Sequence, residues 1–570
     1  GCTRGCRFCQ AGMIYRPVRE RSPESLLALS DQSVRNTGYE DISLLSLSTG
    51  DYGCIVPLME QLMSRYATQN VAVSLPSLRA GTLTPELMKL IKTVRKTGFT
   101  IAPEAGSQRL RDVINKNISA SDIQETVRDA FDLGWKVIKL YFMIGLPTET
   151  EADLEALVEL VKSLRKTQKA AGRWGKINVS VATFIPKPHT PFQWAPQLSL
   201  ADSEDRIGRL QRRLKWRGIQ FKWQSPKVSW LEGVWARGNR KLSRLLVAAY
   251  QKGCRFDGWS DHFRYDLWQA AFEEQGVDPN FFTTRERDVC EPLPWDHINT
   301  QVTKAYLAAE WENALKGAYT ADCRVDDCNQ CGVCDFEKIE PLTRDRLTSR
   351  APDVQRPGSQ KPTAFKKLAI FYTKRDQARY FGHLELVNIF QRALKRAGIA
   401  VRFTEGFHPK PKIAFADPLP VGIESQQEHF VISAPDDIRP QAVKDLLNAH
   451  LPAGLEINDC RLAPRKSPTN RRRQIRYRVV LSRGQFDKTL LRDFNAQPDF
   501  PITLTGRKGK LKKIDLKDIV VNSELRDSNH LKLTLKSEPG KTVRPFDVLR
   551  HIFKLSDTQV KQATILKLSA

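Results

Sequence analysis

Long apolar runs are missing from this sequence. None approaches the roughly 18 residues that a membrane-spanning helix needs, so no membrane partner is expected. Acidic residues are scarce as well, 64 Asp and Glu against 90 Lys and Arg, which leaves a net charge of +26. Such an excess sets up a positive field and makes a polyanion such as RNA the first partner to consider, although a solvated basic surface accounts for the same number. Cysteines free for disulfides are few, because seven of the eleven fall in two tight groups with metal-ligand spacing. A disulfide scaffold is set aside and a reducing cytoplasm is expected. A starting methionine is also missing: the chain opens on Gly1, one residue before the first cysteine of a loop that a strand should feed. The expectation is a fragment whose first strand lies upstream. At 570 residues and 41% hydrophobic content the chain is globular but too long for one core, and about three or four domains are expected.

What is there begins at once. Cys2, Cys6 and Cys9 have the spacing C-x3-C-x2-C. Three thiolates this close can each reach a different iron of one 4Fe-4S cluster and leave the fourth iron without a protein ligand. A zinc knuckle or a structural thiol group uses three cysteines equally well.

After this loop, strands and helices alternate. The pattern predicts a helix over Pro23–Asn36, a strand Ile42–Ser48, a helix Ile55–Gln69 and a strand Val71–Leu75. Thr84-Pro85 opens the next helix, Phe99–Pro103 is a strand and Ser121–Leu133 a helix. Val137–Met143 is a strand, Thr148-x-x-Glu151 a capping box opening a helix to about Gln168, and Ile177–Phe184 a further strand. Short connections between such elements give parallel strands with right-handed crossovers. With the upstream strand counted, the expectation is an α/β partial (β/α)6 barrel with its ligands at the carboxyl ends of the strands.

The cysteine spacing, with Phe8 just before the third cysteine and the run Gln10-Ala11-Gly12-Met13-Ile14-Tyr15-Arg16-Pro17 after it, resembles the radical S-adenosylmethionine (SAM) superfamily. Three further segments match in order at strand ends: Ser48-Thr49-Gly50-Asp51-Tyr52, Pro103-Glu104-Ala105-Gly106-Ser107, and Met143-Ile144-Gly145-Leu146-Pro147. Each alone is a set of ordinary turn residues. The resemblance implies that Cys2, Cys6 and Cys9 hold the cluster and that its open iron chelates SAM. It implies that Phe8 packs near SAM and that Ser48, Thr49, Gly50 and Asp51 serve its amino group. Glu104 and Ser107 would then meet its ribose and carboxylate, as in the methylthiotransferase-like branch, and the backbone at Ile144 and Gly145 its adenine. His189, in the proline-rich stretch Phe184–Trp194, is a substrate contact or a loop histidine satisfied by backbone.

From Asp205 to Arg244, cations and aromatics interleave, among them Arg212, Arg213, Lys215, Trp216, Arg217, Lys222 and Trp223, as suits base stacking or packing onto the barrel. Cys323, Cys328, Cys331 and Cys334 follow with spacing C-x4-C-x2-C-x2-C, which closes a tetrahedral zinc site or ligates a second iron-sulfur cluster.

Residues 343–366 read as a linker. Beyond it come a strand Leu368–Thr373, a helix Leu384–Ala397, strands Ala400–Thr404 and His429–Ser433, a helix Pro440–Leu451 and a strand Leu455–Leu462. That is a ferredoxin-like β-α-β-β-α-β order, and a fainter second pass over 477–568 suggests a tandem pair. Phe403–Lys412 with Phe381-Gly382-His383 resembles the radical-SAM-linked domain found with radical SAM proteins that carry a cobalamin-binding-like domain. No such domain is read within the sequence, so cobalamin is left open, and only for a longer protein. The domains expected are 1–200 for the barrel, 201–342 for a mostly helical extension with the second cysteine group, 343–366 for the linker and 367–570 for the α+β region. Arg471, Arg472, Arg473, Arg476 and Arg478, with Arg507, Lys508, Lys510, Lys512 and Lys513, are an RNA-holding surface or a solvated basic face.

The function these residues imply together is cleavage of SAM to a 5'-deoxyadenosyl radical to modify an RNA or ribosome-associated substrate, with an electron donor such as flavodoxin or ferredoxin. The rivals are a methyl- or methylthio-transferase for a small molecule or protein, and a non-catalytic RNA-binding iron-sulfur protein.

Overall fold

The computed structural model describes residues 1–568 except 77, 83, 93–98, 171–174, 345–363, 406–408, 417, 465–472, 506–510 and 538–542. The chain divides into two compact units, one of Gly1–Leu29 with Asp41–Val354, the other of Ser30–Glu40 with Gln355–Ala570.

In the first unit every paired strand is parallel. Strands β1 (Asp41–Ser43) and β2 (Ala72–Ser74) form one pair; β3 (Phe99–Glu104), β4 (Val137–Ile144), β5 (Lys176–Thr183) and β6 (Ile219–Trp223) form a four-stranded sheet in that order. Helices Ile55–Tyr66, Pro85–Lys92, Ala120–Asp132, Glu151–Ala170 and Leu200–Arg213 alternate with them. This is the α/β architecture of a partial barrel. Burial alternates residue by residue along β4 and β5, so one face carries buried Ile138, Leu140, Val179 and Val181 while Lys139 and Tyr141 stand exposed on the other. A sheet covered on both faces would be apolar on both; this one is exposed on one side.

Four expectations need correction. The strand expected over 42–48 stops at Ser43, because the Leu44 carbonyl is taken by Thr49 Oγ1 at 3.2 Å and the chain turns into a short 3-10 helix at Thr49–Asp51. β6 lies in the basic, aromatic stretch where no strand is expected; it pairs with β5 over Ile219–Trp223, two-residue alternation being hidden among its cations. The capping box expected at Thr148-x-x-Glu151 does not form: the helix starts at Glu151, behind Thr150, whose N–H and hydroxyl both donate to Asp153 Oδ2 at 2.8 Å. Ala400–Thr404 is not a strand and makes only an isolated bridge at Phe403; the hairpin partner is β8 (Ile413–Phe415).

In the second unit, β7 (Phe365–Lys374), helix His383–Arg396, β8, β9 (Ile423–Pro435), helix Pro440–Asn448 and β10 (Leu455–Leu462) run β-α-β-β-α-β with spatial order β10-β7-β9-β8, all neighbours antiparallel. A second pass uses β11 (Arg473–Val480), a side hairpin of β12 (Pro501–Thr505) and β13 (Leu511–Asp515), then β14 (Val520–Leu525), β15 (His530–Ser537) and β16 (Thr564–Lys567). Its order is β16-β11-β15-β14, and β16 runs parallel to β9 at Ile423–Ser425, so both passes share one sheet. Each pass has its own core, around Phe390 and Phe430 in the first and Val479 and Leu549 in the second. The strip 30–40 is held here by Arg392, which donates to the Thr37 carbonyl at 2.8 Å and lies over the Tyr39 ring. Arg471, Arg472, Arg507, Lys508 and Lys510 fall outside the described residues, as do 406–408 of the Phe403–Lys412 segment and most of the expected linker.

Candidate functional site

Local chemistry first fixes the loop of residues 1–9. Gly5 has φ +72°, and a Cβ there would lie 2.9 Å from Asn115 Nδ2. Asn115, itself at φ 50°, donates from Nδ2 to the Gly5 carbonyl at 3.3 Å and the Thr320 carbonyl at 3.0 Å. Arg7 is fully buried. Its Nε donates to Glu310 Oε2 at 3.0 Å, Nη1 to the Val113 carbonyl at 3.0 Å, and Nη2 to the Ala318 carbonyl at 2.7 Å. The charge is thereby paired and its donors directed, which is what makes burial of a guanidinium tolerable. Arg7 thus points away from the thiols and pins the backbone between Cys6 and Cys9.

The three thiols act on one another electrostatically, and Gly12 N–H donates to Cys9 Sγ at 3.4 Å. Burial pushes the Cys2 and Cys9 thiols up, each opposed by one backbone N–H. Among the described residues no three ligand-type side chains stand close enough, as placed, to grip a bare metal ion. The donor set nevertheless fits an iron-sulfur cluster: three soft thiols on one short loop, each disfavouring its neighbours' ionisation until a multivalent cation offsets the repulsion.

The strand-end residues divide by what they touch. Arg4 Nε donates to Asp51 Oδ2 at 2.9 Å and the Ser48 hydroxyl to the same oxygen at 2.6 Å, joining the cysteine loop to Ser48–Asp51. Burial pushes Asp51 up, but Arg4 and Ser48 pull harder and hold it below the ordinary carboxylate range. Thr49 is buried, and a Cβ at Gly50 would lie 2.3 Å from Thr82 Oγ1. Glu104 ends β3 at φ 67°, a strained value for a non-glycine residue, and accepts from Lys116 Nζ at 3.1 Å. Lys116 lies 5.7 Å from the Phe8 ring centroid, and its charge acts on Cys6 and Cys9, so Phe8, Glu104 and the loop meet around it. Ser107 acts locally, capping helix Gln108–Val113 and donating to Asp153. Ile144 is core, its carbonyl bonded to Phe184 N–H, while the Gly145 N–H donates to Glu149 Oε1 at 2.8 Å. His189 sits at φ 56° with its N–H on Gln193 Oε1, and burial lowers its pKa. Trp216 and Trp223 remain half-exposed, the latter stacked on Phe221.

The second cysteine segment packs against the first loop. Asp322 accepts from Thr3 Oγ1 and pairs with Arg4 at 3.4 Å; Arg324 donates to the Asp51 carbonyl. Arg16 is buried, with Nε on the Gly12 carbonyl at 3.0 Å and Nη1 on the Tyr306 hydroxyl at 3.3 Å, and Cys331 beside it. Sequence reasoning misses Lys116, Asn115, Glu310, Asp322 and Arg16. Only Arg16, in the run after the cysteines, carries any local signal; Asn115, Glu310 and Asp322 are lone polar residues given a role by contacts across 100 or more positions, and Lys116 by Glu104 12 positions away and Phe8 across more than 100.

Residues 1–161 match the family described as the radical SAM superfamily. These residues form a radical SAM domain. Residues 367–545 match a family described as an uncharacterized protein conserved in bacteria (DUF2344). The chain is similar to an uncharacterized protein of Methanocaldococcus jannaschii, 36% identical over 280 residues, which cover 49% of this chain and 60% of that one. It is similar to the ribosomal protein uS12 methylthiotransferase RimO of Thermoanaerobacter, 26% identical over 29% of this chain and 39% of that one. The RimO of Thermotoga maritima is 22% identical over 48% of this chain and 66% of its own length. The matches thus span less than two thirds of each relative. Radical SAM family membership makes a 4Fe-4S cluster and SAM the cofactors implied for this domain, and it supports an enzyme of that class. Among the described residues no helix is long and apolar enough to cross a membrane.

Proposed function

We propose that Cys2, Cys6 and Cys9 hold a 4Fe-4S cluster and that the chain cleaves SAM to modify an RNA or ribosome-associated substrate, drawing its electron from a flavodoxin- or ferredoxin-like donor. When bound, the cluster would supply one electron to SAM, breaking its sulfonium S–C5' bond to leave methionine and a 5'-deoxyadenosyl radical. The observation that carries this is the way Arg7 and Asn115 pin a nine-residue loop with three thiols beside Glu104, Lys116, Phe8 and Asp51. In this reading Arg4 keeps Asp51 ionised and oriented, and Lys116 holds Glu104 against Phe8, so that the polar groups of SAM meet fixed partners rather than mobile ones. The net charge of +26 supports a polyanionic substrate. A second reading, a methylthiotransferase, is favoured by the similarity to the RimO proteins of Thermoanaerobacter and Thermotoga maritima.

Anaerobic reconstitution of the full chain with iron and sulfide, followed by SAM and dithionite, should yield 5'-deoxyadenosine, and SAM should perturb the EPR signal of the reduced cluster. Cys6→Ala should abolish both. Unchanged spectra on adding SAM to a fully loaded parent would end this reading.

A further inference from the structure

Arg16 carries a permanent positive charge in a buried position, with 6% of its surface exposed. Its Nη2 has no nitrogen or oxygen partner, and the ionisable side chains within its reach among the described residues are Tyr306 and the Cys331 thiol, not a carboxylate. A buried guanidinium without counter-charge is costly, and such groups are retained where an anion completes them. The ionisable groups acting on it are Tyr306 and Cys331, and its charge is felt in turn by Cys323 and Cys334. The Cys328 thiol acts on Cys323 and Cys334. The neighbourhood of the unpaired guanidinium is therefore the second cysteine group, four thiols that become anionic only as metal ligands or when deprotonated.

We propose that Cys323, Cys328, Cys331 and Cys334 hold an iron-sulfur cluster whose negative charge is the counter-ion of buried Arg16; ligands spread over several irons need not converge on one point, as they would for a lone Zn2+. Four thiolates around a 4Fe-4S cluster leave a net charge of about −2. Each thiol that becomes a ligand gives its proton to solvent, so loading strengthens as pH rises. Arg16 also passes the event on. Its Nε holds the Gly12 carbonyl, and the Gly12 N–H holds Cys9 Sγ. Filling the second site thus positions a donor on a ligand of the first. This coupling rests on the function proposed above; the metal site itself does not.

The test uses the full chain purified anaerobically, with iron and zinc counted before and after a chelator challenge. The parent should hold metal beyond that of the first site. Cys328→Ser with Cys334→Ser should lose that increment as iron; an increment of zinc instead overturns the cluster. Arg16→Gln should weaken retention of the increment about 10- to 100-fold, as loss of an outer-shell partner does, and shift the EPR spectrum of the first cluster, whereas Arg16→Lys keeps the charge and holds the metal. A parent without the increment overturns the proposal, as does a folded Arg16→Gln that holds it like the parent. Should Arg16→Gln not fold, Arg16→Lys decides, and loss as complete as in the cysteine variant overturns the pairing. Cys6→Ala must keep the second metal. If the parent never loads the first site yet keeps the second, the proposed function falls and this inference stands.

Discussion

Single residues carry the strain of this site. Arg7 is enclosed by Glu310, Thr320 and three backbone carbonyls, so it cannot be removed without leaving a buried carboxylate short of its partner. Arg7→Ala should destabilise the first unit by about 3–5 kcal/mol. The check is its denaturant unfolding followed by tryptophan fluorescence, and Arg7→Lys should recover only part of the loss, since an ammonium cannot span all these acceptors. Gly5 is limited by backbone instead. At φ +72° with Asn115 Nδ2 in the path of a Cβ, Gly5→Ala should lower iron incorporation on reconstitution while leaving the far-UV circular dichroism unchanged. Equal iron in variant and parent would show that the loop tolerates another path.

At the scale of elements, helix Glu151–Ala170 is held at its first turn by one carboxylate. Asp153 accepts from Thr150, Ser107 and Arg109. Burial pushes its pKa up, but these donors outweigh burial and hold it down to about 2. Because the folded pKa lies below the ordinary 3.8, the unfolded chain binds more protons, and the stabilisation is complete above about pH 4 and lost as pH falls through 2. Asp153→Asn should therefore lower stability at neutral pH by the roughly 1 kcal/mol typical of a lost cap, read as a fall in melting temperature, and the gap from the parent should close between pH 4 and pH 2. A gap constant with pH would remove charge from the account. Gly106 completes the same junction, since a Cβ there would lie 2.1 Å from Leu157 N, so the helix rests directly on the turn after β3.

For the whole molecule the charge of +26 has a face on which to act. On the shared sheet of the second unit, Arg478 stands directly opposite Lys532, with Arg476 two residues along, all three exposed, while Tyr477, Val479, Leu531 and Leu533 fill the core behind them. If this face holds RNA, affinity should fall with salt at a slope near −0.7 per phosphate contact for single strands, and Arg476→Gln, Arg478→Gln and Lys532→Gln together should flatten it by about two units. Anisotropy titrations of tRNA and rRNA fragments at several salt concentrations measure this. A variant slope equal to the parent's, or binding no tighter than to heparin, would move the protein-substrate reading ahead.

What the sequence alone determined is what is local. The spacing of Cys2, Cys6 and Cys9, the alternation that made β3, β4 and β5, and the helix starts all lie within a few residues, where periodicity and capping chemistry act. Segments whose fate depended on competitors elsewhere escaped it. Leu44–Ser48 lost its strand to a side chain five residues on, β6 gained one from a neighbour about 40 residues away, and the strip 30–40 was claimed by Arg392. The site divides the same way. Its three-thiol spacing was legible, because Cys2, Cys6 and Cys9 lie within nine residues. Its clamps, Arg7 to Glu310, Asn115 to Gly5, Lys116 to Glu104 and Phe8, and Arg16 to the second cysteine group, were decided by tertiary structure. A buried charge must find its partner wherever the fold delivers one, and no local pattern in the chain records where that is.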